Sequence, residues 1–165
     1  MLKNRFFILI GMVCLVAFVS CSKHNQILKS TDNEYKYNAA MYYYGQKDYN
    51  RALQLFDVLQ SAYRGKPQGE EIAYCTAECY YNMKDYNIAS HYYKRYVVNY
   101  PFAKNTESAL FRSACCYYLE SPNIELDQED SYLAIKEFQS FIDLYPQSNL
   151  VDSANKLIDT LQYKI

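Results

Sequence analysis

Residues Ala77 to Pro101 read AECYYNMKDYNIASHYYKRYVVNYP. Two amphipathic helical patterns meet here at a polar turn, Lys84-Asp85. Ala77 and Ala89 stand where the two helices have to come close. Tyr80, Tyr93 and Tyr96 supply bulk around them, and Pro101 closes the unit because the residue before a proline avoids the α region. Most of the same grammar recurs 37 residues upstream and 37 residues downstream. A repeat of that length, built from paired helices, predicts a stacked helical solenoid.

Aligning the units exposes the pattern. First-helix alanines fall at Ala40, Ala77 and Ala114, each followed three residues on by an aromatic: Tyr43, Tyr80 and Tyr117. Second-helix alanines fall at Ala52, Ala89 and Ala134, followed by Phe56, Tyr93 and Phe138, then by Leu59, Tyr96 and Phe141. The step from first to second alanine is 12 residues in two units and 20 in the third, so the Glu120 to Glu129 segment, with Pro122, reads as an eight-residue insertion. Ala154 marks a further half unit.

The pattern predicts a helix from an Asp32 cap to about Gln46, with Tyr37, Ala40, Met41 and Tyr44 at spacings of three and four. The second runs from Tyr49, capped by Asp48, to about Tyr63, with Ala52, Leu53, Phe56 and Leu59 inward. Others cover about Gln68 to Met83, Tyr86 to Asn99, Lys104 to Leu119, an Asp130-capped helix to Leu144, and Ser148 to Gln162.

Ahead of the repeats stands MLKNRFFILIGMVCLVAFVSCSK. Lys3 and Arg5 make a basic start, and Phe6 to Val19 form an apolar run of 14 residues, short for a membrane span. This is a secretory leader, residues 1–20, and not part of the fold. Phe18-Val19-Ser20-Cys21 resembles a bacterial lipobox, with Phe18 where leucine is usual. That resemblance implies cleavage before Cys21 and acyl chains such as palmitate on it; an ordinary cleaved leader with an incidental cysteine is the other reading. Ser22, in place of Asp, implies sorting to the outer membrane. Residues 21–31 read as a lipidated polar tether.

Composition narrows the function. Seventeen Lys and Arg against eighteen Asp and Glu give a net charge of −1, no footprint for nucleic acid. Two histidines, His24 and His91, and the lack of any nucleophile, zinc or phosphate-loop motif argue against an enzyme. No cofactor or metal is expected. Cys75, Cys79, Cys115 and Cys116 read as small apolar fillers; an oxidising periplasm would also permit a Cys79 to Cys116 disulfide. Twenty tyrosines and no tryptophan suit a surface with apolar bodies and polar tips.

The recurring alanines, aromatics and Tyr-Pro closures resemble the tetratricopeptide repeat. This implies an all-α, right-handed superhelical solenoid of three helix pairs plus a seventh helix. The repeat domain spans 32–165, with units at about 33–67, 70–103 and 107–147 and a half unit at 148–165. In that family the first helices line a concave, protein-binding groove. The face one residue past the recurring tyrosine holds Tyr44, Tyr81 and Tyr118, with Tyr37, Tyr74 and Phe111 seven residues earlier and Met41, Glu78 and Cys115 between. Part of this ladder is alternatively inter-repeat core.

Lipobox and repeats together resemble the outer-membrane assembly lipoprotein family, the lipoprotein D subunit of the β-barrel assembly machinery (the Bam complex; YfiO-like). The resemblance implies a non-enzymatic, lipid-anchored protein at the periplasmic face of the outer membrane. Its partners would be the barrel-assembly subunit and unfolded outer-membrane proteins, whose C-terminal segments it would recognise. Members carry about five repeats, so this chain reads as shortened at its C-terminus. A generic periplasmic repeat scaffold for other envelope complexes is the alternative.

Overall fold

The computed structural model describes residues 23–121 and 128–165. The leader, Cys21 and most of the insertion lie outside the described residues. Within them the regular structure is helical throughout, with no strand. Eight helices follow in order: α1 (residues 23–29), α2 (Asn33–Gly45), α3 (Tyr49–Leu59), α4 (Pro67–Asn82), α5 (Tyr86–Asn99), α6 (Thr106–Glu120), α7 (Glu129–Leu144) and α8 (Val151–Lys164). They form two compact units that divide between Ala62 and Tyr63.

In the first unit α2 packs on α3, and in the second each helix from α4 to α8 packs on the next. This is the pairing a tetratricopeptide stack requires. All seven alanines that the repeat singled out have no solvent exposure: Ala40, Ala52, Ala77, Ala89, Ala114, Ala134 and Ala154. Phe56, Tyr93, Tyr96, Phe138 and Phe141 are buried around them. A methyl at the crossing lets the helix axes approach, and the rings fill the flanking space.

The turn inside each of the first two pairs is a repeated device. Lys47 and Lys84 both adopt the left-handed conformation, with φ of 60° and 67°. Each turn is closed by three backbone bonds at matching positions. Gln46, Lys47 and Asp48 donate to Tyr42, Tyr44 and Tyr43 in one; Met83, Lys84 and Asp85 donate to Cys79, Tyr81 and Tyr80 in the other. These bonds satisfy carbonyls that the helix end would leave orphaned. Asp48 then caps α3 through its carboxylate, accepting from the Arg51 amide at 3.3 Å.

Several expectations shift. Residues 23–29, read as tether, are helical: Ile27 and His24 are buried, and His24 Nε2 lies 2.8 Å from Gln54 Oε1 with its ring edge-on to Tyr43. One apolar side chain and one hydrogen-bonded imidazole dock this segment, too little to register as periodicity. Helix α3 ends at Leu59, four residues early, and Leu55, not Leu53, is its additional fully buried leucine. Asp130 sits inside the first turn of α7 instead of capping it; Gln128 occupies the cap. Helix α6 starts at Thr106, whose hydroxyl donates to the Tyr100 carbonyl at 2.6 Å. Helix α8 starts at Val151, behind a turn in which Ser148 Oγ accepts from the Leu150 amide at 3.0 Å.

The glycines differ sharply in their surroundings. A Cβ at Gly69 would stand 2.2 Å from the Tyr63 carbonyl oxygen, a backbone atom, whereas one at Gly45 would meet nothing within 4 Å. Gly69→Ala is therefore expected to destabilise the protein by about 1–3 kcal/mol through overpacking. Gly45→Ala, at a helix end with open space, should be neutral or gain up to about 1 kcal/mol. Thermal melting of the two variants beside the parent checks both signs.

Candidate functional site

On α4, Tyr74, Glu78 and Tyr81 share one face, as their four- and three-residue spacings dictate. On α6, Phe111, Cys115 and Tyr118 do the same. Polar side chains link these helices. The Tyr74 hydroxyl lies 3.3 Å from Ser108 Oγ, and Arg112 Nε lies 3.1 Å from Glu78 Oε1.

Glu78 is the centre of the arrangement. It is only 8% exposed, and the same Oε1 also accepts from the buried Tyr93 hydroxyl of α5. Arg112 extends past it, its guanidinium carbon 4.8 Å above the centre of the Tyr81 ring. Tyr81 is held edge-on by Tyr86 and Tyr93, at 5.5 and 6.2 Å. Tyr74 is held likewise by Tyr96 and Tyr93, at 5.4 and 6.2 Å. A buried carboxylate needs such partners, because an isolated charge in this position would be prohibitive.

The electrostatics follow. Burial, reinforced by the charge of Glu78, raises the Tyr93 hydroxyl, so it stays a proton donor. Burial also raises Tyr74 and Tyr81. It works against the charge on Arg112, but Glu78 and the neighbouring phenols outweigh it, and the guanidinium stays protonated. The face thus presents two partly exposed rings and a fixed, partly exposed guanidinium.

The other positions divide. Phe111 packs on Phe138 and Phe141 at 5.7 and 5.4 Å, while Cys115 and Tyr118 lie against the apolar cluster of α6, α7 and α8. These three serve the core at least as much as a surface. In the first unit Tyr37, Met41 and Tyr44 are half-buried on α2, with Tyr44 edge-on to Tyr49 at 6.2 Å. Cys75, Cys79, Cys115 and Cys116 are free thiols, and burial pushes each up to about 12, which makes them poor nucleophiles. No group of three metal-ligating side chains occurs among the described residues.

Arg112 and Ser108 were not singled out by the sequence reading and Tyr93 was read only as packing bulk, yet the repeat alignment carried a signal. Glu78 stands where the neighbouring units have Met41 and Cys115, and Tyr93 where they have Phe56 and Phe138. The carboxylate and the hydroxyl enter together, in the central unit alone.

A family model described as YfiO, outer membrane lipoprotein, matches residues 29–165. No curated protein matches the chain.

Two outcomes are expected from this geometry. Arg112→Met should cost about 1–3 kcal/mol, because Glu78 loses its counter-charge while the Arg112 side chain is 36% exposed. Adding Glu78→Gln should recover part of that, giving a coupling of about 0.5–3 kcal/mol in urea melts. In alkali, the unfolded chain releases cysteine protons from pH 9 and tyrosine protons from pH 10, while the folded thiols hold theirs to about 12. The folded state then binds more protons than the unfolded one. The contribution of these groups should be constant as pH approaches 9 from neutrality, and stability should fall steadily from 9 to about 12, as denaturant midpoints measured across that range would record.

Proposed function

The chain belongs to the YfiO outer membrane lipoprotein family, whose model spans residues 29–165, and from that membership we propose that it is a non-enzymatic protein-binding scaffold in the assembly of β-barrel outer-membrane proteins. The observation that carries this reading is the α4–α6 face. Two tyrosine rings, each gripped edge-on by others, flank a guanidinium fixed on a buried carboxylate. An extended, unfolded segment offers apolar and aromatic side chains at every second position, along with a bare backbone. Tyr74 and Tyr81 would stack on the former and bind the latter through their hydroxyls. Arg112 would add a donor for a carbonyl or carboxylate. Rigid rings lose little entropy on binding, which favours this chemistry over long flexible side chains.

Acyl chains on Cys21 would hold this surface at the periplasmic face of the outer membrane. Among the described residues no helix is long and apolar enough to cross a membrane. The partners in this reading are the barrel-assembly subunit and unfolded outer-membrane proteins. In the first unit Tyr37, Met41 and Tyr44 would supply further contacts to the same class of ligand.

Affinity capture of the full chain from detergent-solubilised outer membranes should recover the barrel-assembly subunit. Recovery of a different envelope partner in its place would favour a general scaffold instead. Tyr81→Ala should weaken binding of an unfolded outer-membrane-protein segment by about tenfold, as truncating an aromatic anchor does, with helicity retained by circular dichroism. A large loss of stability instead would assign Tyr81 to the core.

A further inference from the structure

The first unit holds a cavity of about 350 Å³ on the side of α2 opposite Tyr37, Met41 and Tyr44. Its walls come from three helices: Lys23 and Ile27 of α1, Tyr35, Asn38, Tyr42 and Tyr43 of α2, and Arg51 of α3. The volume is within the range of small-molecule sites.

Its chemistry is one-sided. The lining contains two cations and no carboxylate. Arg51 is turned over the Tyr43 ring at 5.4 Å and engages Asp48 through Nε at 3.3 Å, with its side chain 36% exposed. Lys23 is exposed at the rim. Tyr35 and Tyr42 are 47% and 64% exposed, large for rings beside a cavity, and their hydroxyls can donate. The wall is built in advance, because His24, hydrogen-bonded to Gln54, and buried Ile27 pin α1 in place.

Position selects the occupant. Two peptide steps separate Lys23 from Cys21, a reach of about 7 Å at full extension. If Cys21 carries acyl chains, the cavity is held at the depth of the surrounding headgroups. We propose that this cavity binds the phosphate of an anionic phospholipid in the membrane to which the protein is anchored. Lys23 and Arg51 meet the phosphate, the phenol hydroxyls meet its oxygens, and the rings of Tyr35 and Tyr42 lie at the glycerol level, where amphipathic aromatic side chains prefer to sit. Occupancy orients the first unit on the membrane instead of leaving it to swing on its anchor. The inference rests on the lipid anchor at Cys21 that the proposed function includes.

The test uses the full chain purified from membranes, with the mass of its N-terminal peptide reporting acylation of Cys21. The protein is reconstituted into vesicles of phosphatidylcholine, alone or with phosphatidylglycerol, and amide hydrogen exchange is followed across residues 23–45. Phosphatidylglycerol is expected to slow exchange in α1 and the first turns of α2, with the effect screened by high salt. Lys23→Gln, at an exposed position that threatens no packing, should cut this protection about fivefold. Equal exchange in both vesicles, or protection by an unfolded outer-membrane-protein segment in detergent but not by phosphatidylglycerol, overturns the proposal. An unacylated Cys21 overturns the anchor instead; flotation of that chain with the two vesicle types then reads the cavity by itself, and equal flotation sinks it.

Discussion

Everything in this protein depends on helices approaching closely enough that only a methyl fits between them. Ala77 and Ala89 meet that condition in one apolar cluster, Ala114 and Ala134 in the next, and Ala154 carries it to the last helix. Once the axes are close, the space beside each crossing must be filled by something long and flat. Tyr93 and Tyr96 fill it in one cluster, Phe138 and Phe141 in the other. Val97 packs against both clusters, so the core of the second unit is continuous and not a row of separate hairpins.

Using tyrosine for part of that filling has a consequence. A phenylalanine at position 93 would pack equally well, as Phe56 and Phe138 do at the matching positions. The hydroxyl of Tyr93 instead needs an acceptor inside the protein, and Glu78 provides it. Glu78 in turn needs a counter-charge, and Arg112 comes from the next first helix to supply it. A ring chosen for packing thereby commits three helices to one polar network. The sulfur and methionine side chains at the positions matching Glu78, Cys115 and Met41, impose no such demand.

The sequence made the skeleton of this arrangement plain. The aligned repeat, with five alanines on a 37-residue step and Ala134 and Ala154 beyond the insertion, picked out seven alanines that all have no exposure, because a steric requirement at a helix crossing admits one kind of residue. What it left obscure were interactions without period. Residues 23–29 dock through a single isoleucine and one imidazole. The ends of α3 and α7 are set by local hydrogen bonds that compete within a turn or two. Arg112 reaches Glu78 across 34 positions, and nothing in its own surroundings says which way it points. Where the units differ, Glu78, read as a groove residue, and Tyr93, read as packing, stand out together as a pair. Phe111 shows the opposite problem: it keeps the spacing of a surface ladder yet spends its ring on Phe138 and Phe141.

The same network explains how a stacked repeat can hold a rigid aromatic face at its surface. Tyr81 and Tyr74 are anchored on their inner edges by rings of α5, and Arg112 covers one side of Tyr81. Their outward faces are therefore set by the core behind them. The binding proposed for this face would carry little ordering cost. The network also ties the exposed face to the packing: an alteration at buried Glu78 or Tyr93 is felt by the rings of Tyr74 and Tyr81. The central unit, most regular in its alanines, is the one in which core and surface are mechanically the same structure.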